Sequence, residues 1–217
     1  MYLSKLQTLL DAMPSIHPYL SRAVLQRYTA VKTQQAYEQQ IKKAIEDRYN
    51  GAITDAEFTS IMTALIAAQL EEAFTTGATD AGMSTLSSGL QSELNKYQQN
   101  ETDYIAGLLT DIQAAIENKA GAAALDYRAE VWANRYSDAL SRAKVLAGAE
   151  MSAVLIAPVL LRWNLGPTEH CADCRGYGGQ VKTAQEWDDI YKRTGHKPQS
   201  VDLECNGYNC QCSLDVA

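Results

Sequence analysis

The sequence predicts a mainly α fold: an elongated helical body followed by a small C-terminal α+β module. Three observations carry this. Apolar residues recur at helical spacing from about residue 37 to residue 156. The texture changes at Pro158, beyond which β-branched and aromatic residues, glycine turns and cysteines take over. All five cysteines lie in the last 47 residues, and the preceding 170 contain none. The implied division is a helical body over residues 1–157 and a cysteine-rich module over residues 158–217. A chain of 217 residues suits one domain plus a small appendage. With 46% hydrophobic and 21% charged residues it belongs with globular rather than disordered chains.

The elements follow in order. Tyr37, Ile41, Ala44, Ile45 and Tyr49 share one helical face, and Asn50-Gly51 ends that run. Thr54-Asp-Ala-Glu57 is a capping box that opens the next helix. Its apolar stripe is Phe58, Ile61, Met62, Leu65, Ile66 and Ala73, with Gly77 placed to end it as the C′ residue. The Gly-, Ser- and Thr-rich stretch from Thr75 to Gly89 predicts a loop or a weak helix. Tyr104, Ile105, Leu108, Leu109, Ile112 and Ile116 form a further stripe, closed near Gly121. The longest pattern runs from Ala122 to Ile156, with Leu125, Trp132, Tyr136, Ala139, Ala143, Leu146 and Val154 on one face. Its many alanines predict close helix packing. Pro158 cannot continue it, having no amide donor.

Beyond Pro158, Val159-Leu-Leu-Arg-Trp163 reads as a short strand and Leu165-Gly-Pro167 as a turn. Cys171-Ala-Asp-Cys174 is a tight knuckle, and Gly176-Tyr-Gly-Gly179 reverses the chain. Val181 begins a return strand. Thr183-Ala-Gln-Glu186 is a second capping box, opening a helix through Trp187, Ile190 and Tyr191 that Gly195 ends. Strand, knuckle, reversal, short helix and a second cysteine cluster outline a zinc-ribbon or treble-clef-like module.

Two thiolate clusters about 30 residues apart are a common layout for one tetrahedral zinc ion. Cys171 and Cys174 are the first pair and Cys205 the third ligand. Cys210 and Cys212 compete for the fourth place, with Cys210 favoured and Cys212 the alternate. Four thiolates would close the coordination sphere, which makes the site structural and leaves His170 and His196 no vacancy. Disulfides are the competing reading. They would leave one cysteine over, and they fit a reducing cytoplasm poorly.

Charge narrows the function classes. The net charge is −7, divided as +3 over residues 1–50, −8 over 51–157 and −2 over 158–217. No segment is basic enough to form an obvious nucleic-acid surface. The opening Met1 to Leu6 lacks the order of a secretory signal. The longest apolar run, Ala153 to Leu161, is too short to span a bilayer and is interrupted by Pro158. There is no P-loop, no G-x-G-x-x-G after a strand, no G-x-S-x-G and no H-E-x-x-H. His17 reads as a surface or core residue, and Glu71-Glu72 and Asp188-Asp189 as solvent-facing helix positions. No catalytic set emerges, so the expectation is a protein that is not an enzyme.

The tail resembles the C-terminal signature of phage Mu F-like minor head proteins, of the phage head-morphogenesis family. The resemblance rests on Trp163, on Glu169-His-Cys171-Ala-Asp-Cys174-Arg-Gly-Tyr-Gly-Gly179 and on Cys210-Gln-Cys212-Ser-Leu214. It is specific in the tail and stylistic over the helices from about residue 50. Two positions depart from the pattern. The family places a histidine before the closing C-x-C, where this chain has Gly207, and an arginine where it has Gln211. Cys205 would take over the missing ligand. The resemblance implies a minor capsid protein of the virion, assembled in the host cytoplasm. The implied partners are portal or major capsid protein, with self-association open and neither membrane nor nucleic acid expected. The alternative is a cytoplasmic zinc-dependent adaptor or regulator that binds nucleic acid through the +3 N-terminal segment.

Overall fold

The computed structural model describes residues 18–200, 202–207 and 210–217, with side chains from residue 33 onward. His17 and the start of the chain lie outside the described residues. The body is four long helices: α1 (Pro18–Tyr49), α2 (Asp55–Asp80), α3 (Ser88–Glu117) and α4 (Asp126–Leu155), the last entered through a 3₁₀ turn at Ala122–Leu125. The protein is therefore mainly helical, with a small C-terminal strand region.

Local sequence explains the boundaries. Gly51 turns the chain after α1 with φ of +73°. At the start of α2 the Thr54 hydroxyl accepts the Glu57 amide at 3.2 Å, and the Glu57 carboxylate accepts the Thr54 amide at 2.8 Å. The stretch after Thr75 does hold a loop, over 81–87, but helix takes its two ends. Helix α2 runs on to Asp80, and Ser87 caps α3 by accepting the Leu90 amide at 3.1 Å.

The body core joins Ile41 and Ile45 of α1 to Phe58, Met62, Leu70 and Phe74 of α2. Leu90, Leu94, Ile105 and Ile112 of α3 and Trp132, Tyr136 and Ala139 of α4 complete it. Ile61 and Tyr104, read as stripe members, are exposed at the edges of their faces. Val154 is 73% exposed, because α4 has run past the body core by its last turn.

Gly77 corrects a prediction. It does not end α2 but lies inside it, buried against α4. A Cβ there would stand 2.7 Å from both the Ala143 Cβ and the Leu140 carbonyl oxygen. The glycine and the alanines of α4 let the two helices approach closely. Gly77→Val is expected to force them apart and to cost about 1–3 kcal/mol or more, the usual range for overpacking. A thermal melt with unchanged Tm would refute this contact.

The module has three antiparallel strands in the order β2-β1-β3: β1 (Leu160–Asn164), β2 (Val181–Thr183) and β3 (Ser213–Val216). Two helices complete it, α5 (Ala172–Tyr177) and α6 (Ala184–Thr194). The second capping box forms at Thr183 and Glu186, and Gly195 ends α6 in the left-handed region. Strand β3, pairing Leu214 with Trp163, was absent from the sequence reading. The side chains of β1 alternate, so Leu161 and Trp163 face inward while Leu160 and Arg162 face out.

A second core forms here from Leu161, Trp163, Trp187, Ile190, Leu203, Leu214 and three cysteines, with Val145 of α4 among them. Helix α4 therefore serves both cores, which is why it is buried on most of its circumference. Buried ions reinforce the junction. Arg142 reaches Glu93 on α3 and Asp188 on α6, and Lys144 reaches Asp80 on α2 and Asp215 on β3. Lys197, beyond α6, pairs with the buried Asp138 of α4 at 3.1 Å.

Candidate metal centre

The short helix α5 sets the first two sulfurs. Cys171 is its N-cap residue, in extended conformation, and its sulfur accepts the Cys174 amide at 3.5 Å. Cys174 follows in the first turn and is buried. What reads as a knuckle in the sequence is thus a helix start, and the two-residue spacing keeps both sulfurs on one side. A reciprocal clamp brings in the third. Asp173 accepts the Glu204 amide at 2.8 Å, and Glu204 accepts the Ala172 amide at 2.6 Å. This ties α5 to the loop that carries Cys205.

That loop also requires glycine at position 207. Gly207 has φ of +70°, and a Cβ there would overlap the carbonyl oxygen of Gln199. A side chain is sterically excluded at this position, so no histidine ligand can stand there. Cys205, two residues earlier, lies beside Cys171 and Cys174.

Cys210 and Cys212 lead into β3. Residues two apart on extended chain face the same side, and both sulfurs reach Cys174. The Cys174–Cys210 sulfur separation is 3.9 Å. All five cysteines are free thiols. They form two overlapping groups, Cys171–Cys174–Cys205 and Cys174–Cys210–Cys212, each with its sulfurs within 4.8 Å of one another. The sequence set the last two in competition, whereas the structure places both in the cluster.

The two histidines separate. His170 Nδ1 lies 3.7 Å from the Cys212 sulfur. His196 Nδ1 instead pairs with the Tyr177 hydroxyl at 3.1 Å.

The electrostatics of the cluster are those of a cation site. Hydrogen bonds from the Cys174 and Cys210 thiols, helped by the Gly166 amide and the Trp163 indole, bring Cys212 down to about 3. Cys174, hydrogen-bonded to Cys210 and Cys212, is pushed far up. Burial pushes Cys205 up to about 12. Burial opposes the Cys171 thiolate, but amides of Cys174 and Cys205 hold its pKa below the ordinary thiol value. Neighbouring sulfurs cannot all carry charge unaided, so the thiolate form is favoured at Cys212 and Cys171 and opposed at Cys174, Cys205 and Cys210. A bound cation would remove that conflict.

Trp163 supplies an independent indication. It is fully buried, and its indole N–H has no acceptor in ordinary hydrogen-bond geometry. Among the groups that lower the Cys212 pKa is this same N–H. A neutral thiol is a weak acceptor; a metal-bound thiolate is a better one. The residues therefore fit a sulfur-bound metal ion.

Sequence reasoning located every sulfur but missed the parts around them. Asp173 and Glu204 lie 31 residues apart, and nothing in the sequence signals that they meet. The ion pairs of Arg142, Lys144 and Lys197 were equally unsigned, and Asp188, read as solvent-facing, is buried at one of them. Among the described residues no helix is long and apolar enough to cross a membrane. No known protein family, curated protein or solved structure matches the chain.

Proposed function

We propose that this chain is a structural minor head protein of a phage particle, with its tail folded around structural zinc. One observation carries the reading. The residues behind the tail resemblance, Trp163, Cys171, Cys174, Cys210, Cys212 and Leu214, are dispersed over 52 positions of sequence, yet gather around one small core. Sulfur-rich ligands favour zinc over magnesium or calcium. The acidic middle of the chain, −8 over residues 51–157, favours protein partners over packaged DNA.

In this role the helical body offers docking surfaces to portal or capsid protein, and the tail holds a fixed shape at its end. The test is mass spectrometry of purified proheads and virions, followed by pull-down with portal and capsid proteins. A few copies per particle, retained through purification, is the expected result. Absence from both particles, with no capture by either protein, would overturn the assignment.

A further inference from the structure

The arrangement of the sulfurs bears on how many ions the tail binds, an inference that rests on the metal-binding reading above. One tetrahedral zinc with bonds of about 2.3 Å requires four sulfurs mutually about 3.8 Å apart. The cluster is built otherwise. Its five sulfurs form two triangles with a single shared corner, Cys174. His170 Nδ1 lies 3.7 Å from the Cys212 sulfur, outside both groups.

The amide N–H groups follow the same division. Cys171 receives the amides of Cys174 and Cys205, and Cys205 that of Gly207. Cys210 receives the amide of Cys212, and Cys212 that of Gly166. Cys174 meets the sulfurs of Cys210 and Cys212. It stands at the corner that the two groups share.

Charge favours the same count. One divalent ion leaves the five sulfurs either strongly anionic or with a buried thiol bound to nothing. Two divalent ions leave five thiolates with a single negative charge. Burial penalises uncompensated charge, and Cys174, Cys210 and Cys212 are all buried.

We infer that the tail holds a two-metal thiolate centre in which the Cys174 sulfur bridges both ions. Cys174, Cys210 and Cys212 hold the inner ion, with the imidazole of His170 next to Cys212. Cys171, Cys174 and Cys205 hold the outer ion and leave it one place for solvent, on the half-buried side of the cluster.

The test is metal stoichiometry of the full-length chain, reduced and loaded with zinc under anaerobic conditions. Native mass spectrometry and elemental analysis read the bound ions directly. A cobalt titration, followed by thiolate-to-metal absorbance, gives the equivalence point independently. Wild type is expected to bind two ions. Cys205→Ser and Cys212→Ser are each expected to bind one, and Cys174→Ser neither tightly. One ion in wild type would overturn the two-metal centre and leave the metal-binding reading standing. No ion would overturn both. Two ions retained in Cys205→Ser would place the second ion elsewhere on the chain and overturn the proposal too. The wild-type count needs no variant to fold, so a destabilised mutant cannot leave the question open.

Discussion

Removing metal with a strong chelator under reducing conditions is expected to melt the tail while leaving most helix intact. Structural zinc in small modules contributes about 10–16 kcal/mol of apparent folding free energy. That compares with about 5–15 kcal/mol for a whole domain. The second core is small, and three of its buried members are cysteines. Without the ion their sulfurs are left as crowded thiols, and the loops bearing Cys171 and Cys205 lose their common anchor. Trp163 and Trp187 lie 5.6 Å apart within this core, so their near-ultraviolet circular dichroism reports on it directly. That signal should collapse on chelation, and all five thiols should become reactive. The far-ultraviolet helix signal should change little, because α1 to α4 have a core of their own. An unchanged tryptophan signal, with no metal released, would refute the metal-dependent tail.

Arg142→Met is expected to be the most damaging single substitution away from the sulfurs. The Arg142 guanidinium reaches Glu93 at 2.9 Å and Asp188 at 2.5 Å, and lies 4.3 Å from the centre of the Tyr191 ring. Its side chain is only 7% exposed. Methionine keeps much of the volume but leaves two carboxylates facing an apolar group. Breaking a buried pair from one side costs about 3–5 kcal/mol. At about 2–4 °C per kcal/mol for a chain of this size, Tm should fall by roughly 10 °C.

The pH dependence has a definite sign. Burial pushes the carboxyl of Asp188 up, but Lys192 and Arg142 outweigh it and hold the pKa below the ordinary value. Glu93 behaves alike, with Arg142 and Lys96 outweighing burial. A carboxylate with a depressed folded pKa stabilises the fold above its unfolded pKa and loses that contribution as pH falls through the folded value. The deficit of Arg142→Met should therefore be full near neutrality and shrink below the usual carboxylate range. Subtracting the wild-type melt at each pH isolates this effect from metal release. Glu101 and Asp138 titrate with the opposite sign, since burial raises both, and they favour folding more as pH falls. A deficit independent of pH would show that Arg142 acts through packing alone.

Much of this architecture is legible because it is local. A capping box needs only residues three apart, and both expected boxes form. Helical stripes need only the period of the helix, and they mark a stretch of each body helix while leaving the starts of α1 and α3 unsignalled. The C-x2-C and C-x-C spacings place their sulfurs through the geometry of one turn or one strand. Gly77 shows the limit of such reading. A glycine near the end of an apolar stripe is the ordinary mark of a helix terminus, and only the approach of α4 makes it an interior residue. Strand β3 was missed for a related reason. Four residues beside a cysteine motif carry too little pattern, and β3 exists because β1 offers it an open edge.

The sequence by itself determined the helical body, the change of texture at Pro158, the two capped helix starts and the identity of the sulfur donors. Each depends on contacts between near neighbours along the chain. Only the tertiary structure decided that Cys210 and Cys212 both meet Cys174, that His170 rather than His196 lies beside the sulfurs, and that α4 belongs to two cores. Those outcomes depend on how separate segments dock. Docking is set by shape and charge complementarity between residues tens of positions apart, such as Arg142 with Asp188 or Asp173 with Glu204, and no local spacing encodes it.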